Sequence, residues 1–208
     1  MYQKYLKRML DFVLSMLSII ILLPVMLIVA LLVKVNLGSP IIFTQQRPGL
    51  HGKIFTLYKF RSMKNDVDHN GELLPNEQRL TQFGKVLRST SLDELPELIN
   101  ILKGDMSIIG PRPLLPEYLE RYNDEQKKRH NVRPGLSSIS AVTGRASLSW
   151  DNKLEKDVWY VNHVSFLLDC KIIMKTFLTV LKRENISSNR DKFIGASQGE
   201  IIEKIEIK

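Results

Sequence analysis

Residues Phe12 to Val33, FVLSMLSIIILLPVMLIVALLV, form a run of 22 residues without a single charge. As a helix this run is about 33 Å long, which matches a hydrocarbon core of roughly 30 Å. It is too long for the apolar part of a secretory signal, and no A-x-A cleavage site follows it. A buried helix in a soluble domain is apolar on one stripe, whereas this one is apolar on every face. The run predicts a membrane-embedded helix.

Its placement in the membrane is open on these residues alone. Lys4, Lys7 and Arg8 precede it, and Lys34, Arg47 and Lys53 follow within the next twenty positions, three cations against three. A spanning helix usually shows an asymmetry here, and a hairpin with both ends on the cytosolic side need not. Pro24 lies near the middle, where it removes a backbone hydrogen bond and bends a helix. Residues 12–23 then cover only about 18 Å, too little to cross. A spanning helix that tolerates its proline and a re-entrant hairpin kinked at Pro24 both fit.

The rest of the chain has the makings of one compact domain. Of its 208 residues 44% are apolar and 25% charged, a balance that excludes a disordered chain. Cys170 is the single cysteine, so neither a disulfide framework nor a multi-cysteine metal site is available. His51, His69, His130 and His163 are scattered without zinc-ligand spacing. The net charge is +8 (30 basic against 22 acidic residues), which calls for an anionic partner: lipid headgroup, nucleic acid or phosphorylated substrate.

Local patterns predict the elements. Pro40–Gln46 and Lys53–Phe60 read as a β-hairpin around Pro48, Gly49 and Gly52, with Lys59 and Arg61 two apart on one face. A polar loop over 66–76 precedes a helix over 78–88, which carries Leu80, Phe83, Val86 and Leu87 at helical spacing. Ser91-Leu92-Asp93-Glu94 matches a capping box, with Ser91 or Asp93 as the cap; the helix behind it ends at Lys103-Gly104. A short strand over 106–109 leads into the stiff Gly110-Pro111-Arg112-Pro113. Amphipathic helices are predicted over 116–130 and 165–183. The second bears Phe166, Leu167, Cys170, Ile173, Met174, Phe177, Leu178 and Leu181 on one stripe, with Lys171, Lys175, Lys182 and Arg183 opposite. That distribution suits an anionic phospholipid membrane, and packing on the domain core is the alternative. The expected class is α+β: a membrane-embedded segment over 1–35, a mostly helical catalytic domain with a small sheet over 36–183, and a polar tail over 184–208.

The chemistry concentrates around Asp93-Glu94. Acids in a first helical turn ordinarily serve its dipole, worth about 0.3–1 kcal/mol, and a lone G-P-R-P is ordinarily a rigid turn. Here both occur with Lys59, Arg61, Arg88, Arg112 and Arg145 and a membrane segment in one small domain. Nucleic-acid binding accounts for the cations and leaves the apolar run unexplained. No G-x-x-x-x-G-K or G-x-G-x-x-G loop is present.

The stretch SLDELPELINILKGDMSIIGPRPLLPEY resembles the signature of the bacterial sugar transferases, small monotopic phosphoglycosyl transferases that begin glycan assembly on polyprenol phosphate. The likeness extends upstream through FTQQRPGLHGKIFTLYKFRSM and downstream through KDVWYVNHVSFLLDCKI, covering about residues 5–183. It is nearest to the minimal members that initiate bacterial N-glycan assembly from a UDP-linked diacetamido sugar. The resemblance implies a cytosolic catalytic domain at the inner membrane. It implies that Asp93 is the nucleophile toward a UDP-sugar and lies near Mg²⁺, with Glu94 assisting in metal or acceptor positioning. Undecaprenyl phosphate is the acceptor, UMP the leaving product, and downstream glycosyltransferases are possible partners. The resemblance also implies substrate-binding roles for Lys59, Arg88, Arg112, Arg145, Asp157 and Asp169. For Asp157 and Asp169 a structural ion pair is the competing reading, as it is a structural hydrogen bond for Tyr160. A re-entrant helix broken at a Ser-Pro pair is a further family trait. The chain departs from the pattern in two places. Leu23-Pro24 stands where the family has Ser-Pro, and PGLSSISAVTGRAS over 134–147 keeps Gly144-Arg145 but lacks the usual asparagines, which implies a different donor or reduced activity if that loop reads the sugar or uridine. A non-catalytic membrane scaffold of the same fold is the alternative function; a membrane-anchored nucleic-acid binder lacks a basic recognition helix.

Overall fold

The computed structural model describes residues 2–144 and 148–182. Arg145 and the predicted tail over 184–208 lie outside the described residues. The first element is a π-helical turn, Tyr2–Leu6, continuous with α1, Lys7–Leu37. These 31 residues of α1 give a contour of about 46 Å. Pro24 sits inside α1, and residues on both sides of it stay helical. No non-helical residue therefore interrupts α1 at Pro24. Packing explains why one lost backbone bond is tolerated: Leu22 and Met26, on either side of the proline, both pack against the domain.

That packing runs along the whole of α1. Lys7, Asp11, Ser15, Val29 and Val33 are buried, and Ile19, Leu22, Met26, Ala30 and Leu37 pack on the same side at three- and four-residue spacing. Ile20, Ile21, Leu27, Ile28, Leu31 and Val35 are all more than half exposed. One face of α1 thus belongs to the domain core, and the other is a bare apolar surface.

Both ends of α1 are tied to the domain by polar contacts. The Arg8 guanidinium donates to the carbonyls of Ile101 (2.6 Å) and Leu102 (2.8 Å), and Asp11 Oδ1 accepts the Ile108 N–H at 3.0 Å. At the other end Arg61 donates to the carbonyls of Leu37 and Ser39.

The hairpin forms as predicted, shifted by one or two residues: β1 is Ile42–Pro48 and β2 is Ile54–Phe60, antiparallel, with Lys59 opposite Phe43 and Arg47 opposite Phe55. The helix expected over 78–88 is two pieces, α2 (Asn76–Arg79) and α3 (Gln82–Ser89). Leu80 between them is extended, and the Thr81 hydroxyl accepts the Gly84 N–H at 3.1 Å, so a new N-cap interrupts the apolar periodicity. A 3₁₀ turn, Leu92–Glu94, leads to α4, Glu97–Lys103, which ends on Gly104 at φ +92°. That left-handed residue confirms the expected stop.

Strand β3, Ser107–Ile109, pairs in parallel with β4, Gly135–Ser137. A Cβ at Gly135 would come within 2.1 Å of the Gly110 nitrogen, so only glycine permits this approach. The Gly135 N–H donates to the Pro111 carbonyl at 3.0 Å, which fixes the segment carrying Arg112. The helix expected over 116–130 also divides. A 3₁₀ stretch, Pro116–Arg121, and a second, Lys128–Asn131, flank α5, Asp124–Lys127, which starts on a capping box between Asn123 and Gln126.

Three helices complete the order: α6 (Ile139–Val142), α7 (Trp150–Asn162) and α8 (Phe166–Lys182). The stripe read on α8 does not face the core. Phe166, Leu167, Ile173, Met174, Phe177 and Leu178 are exposed, while Asp169 and Ile172 are buried. Among the described residues the architecture is α+β, predominantly helical with two small two-stranded sheets, as the sequence predicts.

Candidate active site

The residues of the site converge on the turn between α3 and α4. Ser91 adopts a left-handed conformation (φ +55°) and makes no side-chain cap, so the capping box read from Ser91 and Glu94 does not form. The reason is electrostatic. Glu94 turns away from the backbone to accept a hydrogen bond from Lys59 Nζ at 2.8 Å and another from Arg112. Charge-assisted bonds of this kind are stronger than a neutral cap. Lys59 Nζ also meets Glu97 Oε1 at 2.9 Å, so one ammonium on β2 bridges two carboxylates.

Asp93 is 8% exposed and, among the described residues, makes no side-chain hydrogen bond or ion pair. Burial, followed by the neighbouring Glu94 charge, raises its carboxyl to about 6; Lys59, Arg112 and Arg88 offset part of this. Burial acts upward on Glu94 too, but Arg112 and Lys59 outweigh it and hold that carboxyl well below the usual range. Glu97 is only 3% exposed, and burial raises it to about 7 despite Lys59. The Glu94 charge, acting against burial, raises Arg112 above its ordinary value. The Arg112 side chain keeps 35% of its surface exposed, so it is open to a ligand. Arg88 approaches from α3 and donates through Nε to Ser62 Oγ at 2.8 Å.

The structure therefore gathers Lys59, Arg88, Asp93, Glu94 and Arg112. Arg61, expected on one strand face with Lys59, lies just past β2 and serves the end of α1 instead. Asp157 and Asp169 lie in separate buried clusters. Asp157 accepts from Arg129 Nη2 at 2.7 Å and from Ser140 at 3.2 Å; the same Arg129 nitrogen donates to the Arg112 carbonyl at 2.7 Å. Asp157 thus braces the backbone of Arg112 through Arg129. Asp169 accepts from Lys7 (2.6 Å), Tyr2 (2.6 Å) and Tyr160 (2.7 Å), joining α8 to α7 and to the start of α1.

Two residues escaped the sequence reading. Glu97 was visible in principle, because a carboxylate three residues after Glu94 shares its face on a helix. Arg47, at the end of β1, lies against the Arg112-Pro113 backbone; its Nη1 donates to the Pro113 carbonyl at 3.3 Å. No local pattern marks that approach, which crosses 66 positions.

Among the described residues no group of three His, Cys, Asp or Glu is placed to hold a metal. Mg²⁺ usually takes one or two carboxylates and completes its shell with water and substrate phosphate. The unpaired Asp93 carboxylate fits such a site.

The chain belongs to the bacterial sugar transferase family, whose model matches residues 2–183. It is 46% identical over 200 residues to the uncharacterized sugar transferase EpsL of Bacillus subtilis, covering 92% of this chain and 96% of that protein. It is 39% identical over 198 residues to an undecaprenyl-phosphate galactose phosphotransferase of Salmonella typhimurium, and 40% identical over 191 residues to a UDP-glucose:undecaprenyl-phosphate glucose-1-phosphate transferase of Escherichia coli. These matches cover 87% and 86% of this chain but only 41% and 40% of the two relatives, which are more than twice as long as the segment they share with it.

Proposed function

We propose that the protein transfers a sugar phosphate from a UDP-sugar to undecaprenyl phosphate, as the first membrane step of a bacterial polysaccharide or glycoconjugate. One observation carries this reading: Asp93 is buried, unpaired and surrounded by cations that are anchored elsewhere. A carboxylate so placed is poorly solvated and free to attack. Its pKa near 6 leaves it ionised at neutral pH.

In the first step an Asp93 carboxylate oxygen bonds to the sugar-linked phosphorus. The bond from that phosphorus to the bridging oxygen breaks, and UMP leaves with the electron pair. In the second, a phosphate oxygen of the acceptor attacks the aspartyl phosphosugar, and the Asp93 carboxylate is restored. An approaching carboxylate is repelled by about 4 kcal/mol per unit charge on the diphosphate at 4 Å and an effective dielectric near 20. Arg112 and Lys59 offset that repulsion, and Glu94 holds both in position. Mg²⁺ bound at Asp93 would neutralise further charge on the diphosphate.

The contacts of α1 support a placement with both of its ends on one side of the bilayer: each end is bound to one polar domain, and the bare apolar faces of α1 and α8 are the surfaces that would enter the membrane. The cytosolic side is where UDP-sugars and downstream glycosyltransferases are found. Single cysteines near Tyr5 and Lys34 in sealed inverted vesicles should react with a membrane-impermeant thiol reagent from the same side; opposite sides would mean a spanning helix.

The functional test is UMP release from a panel of UDP-sugars with undecaprenyl phosphate, Mg²⁺ and the detergent-solubilised full chain. Release dependent on both substrates is expected for at least one sugar. Product formation without a phosphosugar adduct on Asp93, sought by mass spectrometry with acceptor withheld, would remove the covalent step. No release with any donor would favour a non-catalytic scaffold.

A further inference from the structure

Arg47 is a half-buried cation whose own partners do not account for its charge. Its Nη2 donates to the side-chain carbonyl of Gln45 at 2.7 Å, and its Nη1 reaches the Pro113 carbonyl at the long distance of 3.3 Å. Its Nε is buried and has no hydrogen-bond partner. Among the described residues no carboxylate stands within ion-pair distance of it, although Lys59, Arg112 and Arg129 all have one. A buried polar group left unsatisfied costs about 1–3 kcal/mol, and more if charged.

A second guanidinium makes the position worse. Burial and then the Arg112 guanidinium lower Arg47 to about 10, with only partial relief from Glu97 and the exposed Glu117. Two guanidiniums held together by β1 and by the rigid Gly110–Pro113 segment repel each other unless an anion lies between them. Arg112 itself is only partly engaged, through a single nitrogen, on Glu94. A diphosphate offers oxygens to both arginines at once, and planar donors suit that geometry.

We propose that Arg47 is a further substrate-binding residue, which takes an oxygen of the donor's diphosphate jointly with Arg112. This assignment rests on the phosphosugar-transfer reading, but its ligand chemistry is that of any diphosphate. Gln45 holds the guanidinium until the anion arrives and can swing away, since an amide oxygen is a weaker partner than phosphate.

The test uses the full chain in detergent with Mg²⁺, and inorganic pyrophosphate and UDP as probes read by thermal shift and calorimetry. Arg47→Gln should weaken pyrophosphate at least tenfold and raise the UDP-sugar KM by a similar factor. The kcat should stay within threefold, and the KM for undecaprenyl phosphate should not move. Gln45→Glu guards against a folding defect: it is nearly isosteric and gives Arg47 the carboxylate it lacks. It should weaken pyrophosphate about fivefold or more while raising the melting temperature. Gln46→Glu, the same charge on the neighbouring exposed side chain, should change little. If Gln45→Glu binds pyrophosphate within twofold of the parent, Arg47 only props the Pro113 backbone and the assignment falls. Because pyrophosphate binding needs no turnover, a failure to find a sugar donor would count against the transfer reading and leave this one standing.

Discussion

Two sets of carboxylates in this chain differ in how completely they are paired, and the contrast between them separates chemistry from architecture. Asp157 and Asp169 have their oxygens filled by partners within the protein: Arg129 and Ser140 for one, Lys7, Tyr2 and Tyr160 for the other. In the Asp93, Glu94 and Glu97 group the partners are shared and incomplete. One lysine serves two acids, and among the described residues Asp93 has no partner. A saturated acid lowers the energy of the fold. An unsaturated one keeps its free energy in reserve for a ligand.

The largest effect that tests this contrast is at Asp93. Asp93→Asn should remove turnover by about a thousandfold or more, because an amide is a poor nucleophile. It should not weaken the fold. The folded pKa of Asp93, about 6, lies above its ordinary 3.8, so ionisation costs stability as pH rises through that interval. Thermal melts should therefore show the variant equal to the parent near pH 4 and more stable at pH 8. A destabilised Asp93→Asn would place Asp93 with the structural acids.

Next comes Asp169→Asn, with the opposite pattern. It leaves the buried Lys7 ammonium without an anion, a loss of roughly 3–5 kcal/mol for a broken buried pair. The melting temperature should fall by about 10 °C, while turnover below the transition stays within a few-fold. A tenfold rise in donor KM with an unchanged melting temperature would instead make Asp169 a substrate residue.

The smallest effect is expected at Glu97→Gln. Glu97 is raised to about 7 from 4.5, so the parent loses stability over that range and the amide does not. The variant should melt a few degrees higher at pH 8 and equally near pH 4.5. Identical melting curves at both pH values would show that Lys59 already neutralises this acid.

The same contrast explains what could be read in advance. The hairpin, the Gly104 stop and the rigid segment around Arg112 follow from local rules, namely alternation, glycine conformation and proline restriction. The two divided helices are also local effects, because Thr81 and Asn123 cap new helices inside apolar-periodic stretches. The roles of Glu97, Arg47 and Asp169 are not local. Asp169 finds Lys7 across 162 positions. Glu94 illustrates the conflict between levels, since its capping-box spacing is correct and two distant cations override it.

Because Val29 and Val33 complete the cluster around Phe60 and Leu87, the membrane segment is also a wall of the catalytic domain. Cutting the chain after Leu37 would strip apolar cover from β2 and α3. It would also leave the Ile108 amide and the terminal carbonyls of α4 without Asp11 and Arg8. A water-soluble catalytic fragment made by trimming the anchor is therefore expected to aggregate rather than work. For the same reason a detergent or bilayer is part of the solvent in which this fold exists.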